Sequence, residues 1–273
     1  MRVQDAPVVD ARPVMARDRE DLLAFLADLD EHEWLTPTAA PGWRVKEVAL
    51  HLLDDDLGWL SRQRDADRSG LLSGFSDHGG FVAALAAKNQ RWVEGASGLS
   101  RQVVADLLRW SGAQMDDHVA TRDLRAEAHV DWAGDDPVPA WLDLARELTE
   151  RWVHPQQMRL AVGRPGTHLE DYVATVLTTF VWAYPHQYRV PAEPGTCVDV
   201  DLDAGGRWHL RSVGGDRWTL EPGEAADGVA GLAMTSGAAW RCLTAAAYDE
   251  SGVRRWGPSE LTAPLLLVRG IIV

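Results

Sequence analysis

Along the first 190 positions apolar residues return at intervals of three and four, the spacing of one helix face. Leu22, Phe25, Leu26 and Leu29 predict a helix over 13–33. A stretch rich in turn formers, Thr36 to Trp43, follows. Val45, Val48, Ala49, Leu52, Leu53 and Leu57 then predict a second helix, from Trp43 to about Arg64. Ser73 to Gly80 reads as a turn, Phe81 to about Gly95 as a third helix, and Ser100 to about Val119 as a fourth with Ser100 as its N-cap. Asp131 to Pro139 reads as a loop. A long helix is expected from Ala140 to about Val162, closed by Gly163, Arg164, Pro165 and Gly166. Glycine permits the chain reversal that ends a helix, and proline cannot continue it. Pro155 inside this helix removes one backbone donor and predicts a local kink. Leu169 to about Gln187 is the last helix of this half.

Beyond about residue 190 the period changes to two. Val198, Val200 and Leu202 alternate with Asp199 and Asp201, a strand pattern. Gly205–Ser212 and Asp216–Glu221 read as two more strands joined by a turn at 214–216. Val229–Thr235 reads as a strand, Ser236 to about Tyr248 as a helix, and Leu261–Val273 as an apolar run in either state. The expected fold class is α+β: a helical bundle over 1–190 and a smaller α/β domain over 191–273.

Composition narrows the function classes. The 273 residues are 46% hydrophobic and 25% charged, enough for a core without staples. A net charge of −14 without a Lys/Arg-rich run argues against nucleic acid and against anionic membranes. Cys197 and Cys242 do not make a disulfide framework and read as buried thiols. The N-terminal residues lack an apolar segment of signal-peptide length, and no stretch approaches 18 uninterrupted apolar residues, so a cytoplasmic location is expected. Thirteen tryptophans against four tyrosines and four phenylalanines supply bulky packing groups, some of them available to line a pocket.

Of nine histidines, His32, His78, His118, His129, His168, His186 and His209 sit near segment ends or loops and read as surface or packing residues. His51 lies among Leu50, Leu52 and Leu53, on or beside an apolar face. Glu150 and His154, four apart on one helix, project from neighbouring points of one surface. Such a pair is half of a metal site; the spacing alone equally fits an exposed Glu–His pair. Asp54, Asp55 and Asp56 read as a solvated face, with Asp55, one turn after His51, as a candidate ligand-orienting carboxylate.

WRVKEVALHLL at 43–53, behind a Pro41-Gly42-Trp43 turn, resembles the second helix of DinB-like bundles. ELTERWVHPQQMRLAVGRPG at 147–166 resembles their later metal-binding helix. The whole chain is similar to the mycothiol-dependent maleylpyruvate isomerase family, in which a DinB-like four-helix bundle precedes a domain like sterol carrier proteins. The resemblance implies a zinc ion held by His51, Glu150 and His154, mycothiol as the thiol cofactor, a small-molecule substrate, and a monomer or homodimer. Two departures stand out: Pro155 directly follows the third ligand, and Gln156-Gln157-Met158 stands where an acidic residue often precedes Arg. The family's Gly-Arg pair late in the second domain is missing. Arg241, on a comparable helix, becomes the candidate substrate-gripping residue, with Arg254 and Arg255 following.

Two imidazoles and one carboxylate leave a divalent ion positively charged with an open position. A thiol entering there loses its proton and becomes a soft nucleophile. Its attack on an activated carbon gives a conjugate; attack, bond rotation and expulsion give cis–trans isomerisation. Hydroxide generation for hydrolysis is open to the same ion. A non-catalytic binding module enclosing an apolar ligand is the reading from another class.

Overall fold

The computed structural model describes residues 1–74, 78–130, 133, 137–166 and 170–270. Parts of the turn expected at 73–80 and of the loop expected at 131–139, His168, and the last three residues of the terminal apolar run lie outside them. The elements are, in order, α1 (Arg12–Asp28), α2 (Glu31–Trp34), α3 (Val45–Trp59), α4 (His78–Ala96), α5 (Arg101–Ala120), β1 (Glu127–Ala128), β2 (Val138–Pro139) and α6 (Ala140–Ala161). Then come α7 (Glu170–Phe180), α8 (Tyr184–Gln187), β3 (Cys197–Asp201), β4 (Arg207–Gly214), β5 (Arg217–Pro222), β6 (Ala230–Met234), α9 (Ser236–Leu243), β7 (Val253–Trp256) and α10 (Ser259–Thr262). The class is α+β, as expected.

The chain forms two compact units that do not follow one cut along the sequence. One comprises Arg12–Arg122 and Glu150–Gly166; the other comprises Met1–Ala11, Asp123–Thr149 and Thr167–Val273. The long helix α6 gives its first half to the second and its last half to the first.

The first unit is the bundle. α1 and α3 both pack on α5, and α4 packs on α3. Leu22, Phe25 and Leu26 of α1, and Leu29 just past its end, meet Val45, Val48, Ala49, Leu52 and Leu53 of α3, with Val104, Leu108 and Met158, in one buried cluster. Periodicity placed these faces well and missed the breaks. The helix expected over 13–33 ends at Asp28, and Asp30 starts α2 with a capping box: its carboxylate accepts from the Glu33 N–H (2.8 Å), and Glu33 accepts from the Asp30 N–H (2.9 Å). The second helix changes from α to a π turn at Leu60–Arg64. Ser100 caps α5 as expected, accepting from the Val103 N–H. α6 runs through Pro155 as one helix. It stops where Gly163 takes a φ of 68° and the Arg164 N–H returns to the Arg159 carbonyl (2.9 Å).

The second unit is built on a sheet of order β5-β4-β3-β6-β7. β3 runs antiparallel to β4 and parallel to β6, with Val200 opposite both Trp208 and Leu232. β4 and β5 form the expected hairpin, with Gly214 (φ 102°) and Gly215 (φ 63°) at its end. Val198, Val200, Leu210, Leu220 and Leu232 are buried. Strand β7 escaped sequence reading because its four residues, Val253-Arg-Arg-Trp, are half charged and only partly buried. The helix expected over 169–187 divides: α7, a 3₁₀ turn at Val181–Ala183, then α8, with Pro185 at its N-terminal end. The helix expected to reach Tyr248 stops at Leu243, and Ala245 takes a φ of 58°. The terminal apolar run is the end of α10 and a 3₁₀ turn at Pro264–Leu267.

Candidate metal centre

The beginning of α3 is fixed by Glu47. Its carboxylate accepts from the Arg44 backbone N–H (2.9 Å) and pairs with the Arg44 guanidinium (2.9 Å). One turn on, His51 turns inward and is 7% exposed. Trp43 stands beside it, ring centroids 5.2 Å apart, with its indole N–H donated to Gln90 Oε1 (2.9 Å).

In the second half of α6, Glu150 and His154 project from one face, and His154 Nε2 lies 3.5 Å from Glu150 Oε2. The imidazole of His154, 6% exposed, meets that of His51 edge to face, centroids 4.8 Å apart at 87°. One nitrogen or oxygen from each of His51, Glu150 and His154 lies within 4.8 Å of the others. Glu150 and His154 are therefore not an exposed pair. His154 Nδ1 lies 2.9 Å from Gln157 Oε1.

The electrostatics differ between the two imidazoles. Burial, then the neighbouring His154, pushes His51 down to about 3, so it is neutral with a free lone pair at physiological pH. Burial also opposes a charge on His154, but the bond to Glu150 and the Glu150 charge outweigh it and raise its pKa. The charge of Asp55 acts in the same direction. Buried nitrogen donors and one half-buried carboxylate converging on one point suit a borderline divalent ion such as zinc.

The acidic run that follows is not a solvated face. Asp54 is half-buried and pairs with Lys88 (3.2 Å), while Asp56 is wholly buried. Arg19 of α1 grips both Asp56 oxygens, at 2.8 Å each, and donates to the Leu108 carbonyl (3.0 Å). Arg151 of α6 donates to Asp56 Oδ1 (2.7 Å), and the Ser111 hydroxyl of α5 to Oδ2. Gly112 makes room for this, since a Cβ there would stand 2.8 Å from Arg19 Cγ. Burial drives the Asp56 carboxyl up, but Arg151 and Arg19, with Ser111, more than reverse that and hold it below the usual carboxylate range. Asp18, next to Arg19 and equally buried, is pushed up to about 7 by burial, which Arg19 and Arg151 offset only in part.

Arg241 belongs to the other unit. It lies on α9, its guanidinium 4.4 Å from the Trp240 ring centroid and donating to the Gly237 carbonyl (2.9 Å). His118 packs on Trp59, and His209 bonds the Gly223 carbonyl (2.9 Å) and Glu221 (3.2 Å), so both pack as expected. Sequence reasoning missed Arg19, Arg151, Gln157 and the real place of Asp56.

This chain carries a convergent His–Glu–His set in a helical bundle and has a five-stranded mixed sheet besides, an α+β make-up. The family model of the mycothiol maleylpyruvate isomerase N-terminal domain matches residues 15–159, more than half the chain, and the chain belongs to that family. It is similar to uncharacterized proteins from two strains of Mycobacterium tuberculosis, each 30% identical over 228 residues, covering 79% of this chain and 78% of the relative. Crystal structures of the mycothiol-dependent maleylpyruvate isomerase and of an alanine mutant of it share the fold. TM-scores are 0.56, identities 15% and 14%, and coverage 93% of this chain and 95% of theirs. Among the described residues no helix is long and apolar enough to cross a membrane.

Asp56→Ala lowers unfolding stability by about 3–5 kcal/mol, because Arg19 and Arg151 are left as uncompensated buried charges. Urea denaturation measures this, and a loss below about 1 kcal/mol contradicts a paired, buried Asp56. Asp18 gives a pH signature of opposite sign. Between about pH 4 and about pH 7 the folded chain keeps a proton there that the unfolded chain has released, so stability falls as pH rises through that window. Asp18→Asn removes this slope: it matches wild type near pH 4 and gains up to about 4 kcal/mol above pH 7. Parallel stability–pH curves for the two proteins would contradict it.

Proposed function

We propose that this protein is a metal-dependent enzyme that activates a low-molecular-weight thiol, mycothiol, for isomerisation or S-transfer on a small electrophile. The observation that carries the proposal is the convergence of His51, Glu150 and His154 inside the family's bundle. A divalent ion held by these residues would lower the pKa of an incoming thiol, so that the thiolate is available at neutral pH.

The chain's own residues do the rest. His51 is held neutral and ready to donate its lone pair. Glu150 supplies the one negative charge of the set, which leaves room for an anionic thiolate beside it. Trp43 walls the His51 side and limits water there. Arg241, half-buried with its guanidinium over the Trp240 ring, is the proposed grip for an anionic group of the substrate.

Protein purified without chelator carries close to one zinc per chain, and His154→Ala carries little. Adding mycothiol to the cobalt-substituted protein produces a sulfur-to-cobalt charge-transfer band. Wild type that takes up no metal even after incubation with zinc contradicts the proposal and favours a binding module. Metal uptake without the thiol band favours a hydrolase on the same residues.

A further inference from the structure

α6 continues past His154, where Gln157, 4% exposed and about two turns beyond Glu150, reaches back to His154. Their Nδ1···Oε1 distance is 2.9 Å. An amide oxygen only accepts, so this bond requires the hydrogen of His154 on Nδ1. The other ring nitrogen, Nε2, is the one that faces Glu150, at 3.5 Å. Two residues of one helix, three apart, thus settle which imidazole nitrogen looks into the His–Glu–His set.

We propose that Gln157 is a positioning residue for the metal: it locks His154 in the Nδ1–H tautomer, aims Nε2 at the ion, and does so without adding a charge. The inference rests on the reading of His51, Glu150 and His154 as a metal site. The neutrality is as important as the bond. A carboxylate in this position would make the imidazole a stronger donor and cancel more of the ion's charge. With an amide, the ligands themselves carry one negative charge, from Glu150, against two positive charges on a divalent ion. The site keeps a net attraction for one more anionic ligand, and a thiolate is such a ligand.

The test uses the full chain with ¹⁵N-labelled histidine, zinc affinity from chelator competition, and long-range ¹⁵N–¹H correlation spectra that show which ring nitrogen bears hydrogen. In wild type loaded with zinc, His154 is bound through Nε2 and protonated on Nδ1. Gln157→Leu, which keeps the volume and removes the acceptor, weakens zinc binding about 10–100-fold and loses the uniform Nδ1–H signal. Gln157→Glu restores the acceptor and binds zinc at least as tightly as wild type, while its affinity for mycothiol falls.

Gln157→Leu with wild-type affinity and an unchanged His154 spectrum overturns the proposal. Should Gln157→Leu not fold, a folded Gln157→Glu that has lost zinc overturns it equally, because the acceptor alone would then not suffice. Wild type without zinc affinity removes the metal site itself. That result differs from either mutant outcome and sinks the functional reading along with this one.

Discussion

One buried carboxylate, Asp56, holds the helical bundle in register. It lies on the apolar stripe Val45–Ala49–Leu52–Asp56–Trp59 of α3, at alternating steps of four and three. Its partners hold the same kind of position on their own helices: Arg19 in Met15–Arg19–Leu22–Leu26, Ser111 in Val104–Leu108–Ser111–Met115, and Arg151 in Leu148–Arg151–Pro155–Met158. Four helices therefore contribute one buried ionic layer. Sliding any helix by a turn would separate buried charges, at far greater cost than mismatched leucines. The layer fixes α3 against α6 through the 2.7 Å bond from Arg151 to Asp56. His51 is five residues before Asp56, and Glu150 and His154 flank Arg151, so the same contact sets how these three candidate ligands meet.

Much of this was legible in the sequence. Periods of three and four located the five long helices, and a period of two located the first three strands of the sheet. Spacing put Glu150 and His154 on one face, and likeness to a known family joined His51 to them. What stayed hidden was hidden for physical reasons. The DDD run looks like a solvated face when charge alone is read, yet the 4–3 stripe passes through Asp56, as it does through Arg19 and Arg151. Charges sitting on apolar stripes of several helices are the signal for a buried ionic layer, and each helix read alone conceals it. The break after Asp28 was written in the Asp30–Glu33 capping box but masked by the continuing hydrophobic period. Gln157 was visible only as a departure from an acidic pattern; its bond to His154 needed the fold.

The centre combines opposing demands. Burial strips His51 of its proton and leaves its lone pair free, while Glu150 would supply the charge that the proposed divalent ion requires. Arg19 and Arg151 both bind the Asp56 carboxylate in the same bundle, so the three proposed ligands stand on helices that buried ion pairs hold together. The large share of buried polar side chains on α6, from Asp143 through Gln157, is thereby divided between holding the fold and building the centre.

The most direct test of this account is a crystal of the zinc-soaked protein measured on both sides of the zinc absorption edge. The account predicts one strong anomalous peak among His51, Glu150 and His154, with both imidazoles and the carboxylate as ligands. A fully formed bundle with no peak there, or with zinc held elsewhere, would contradict it.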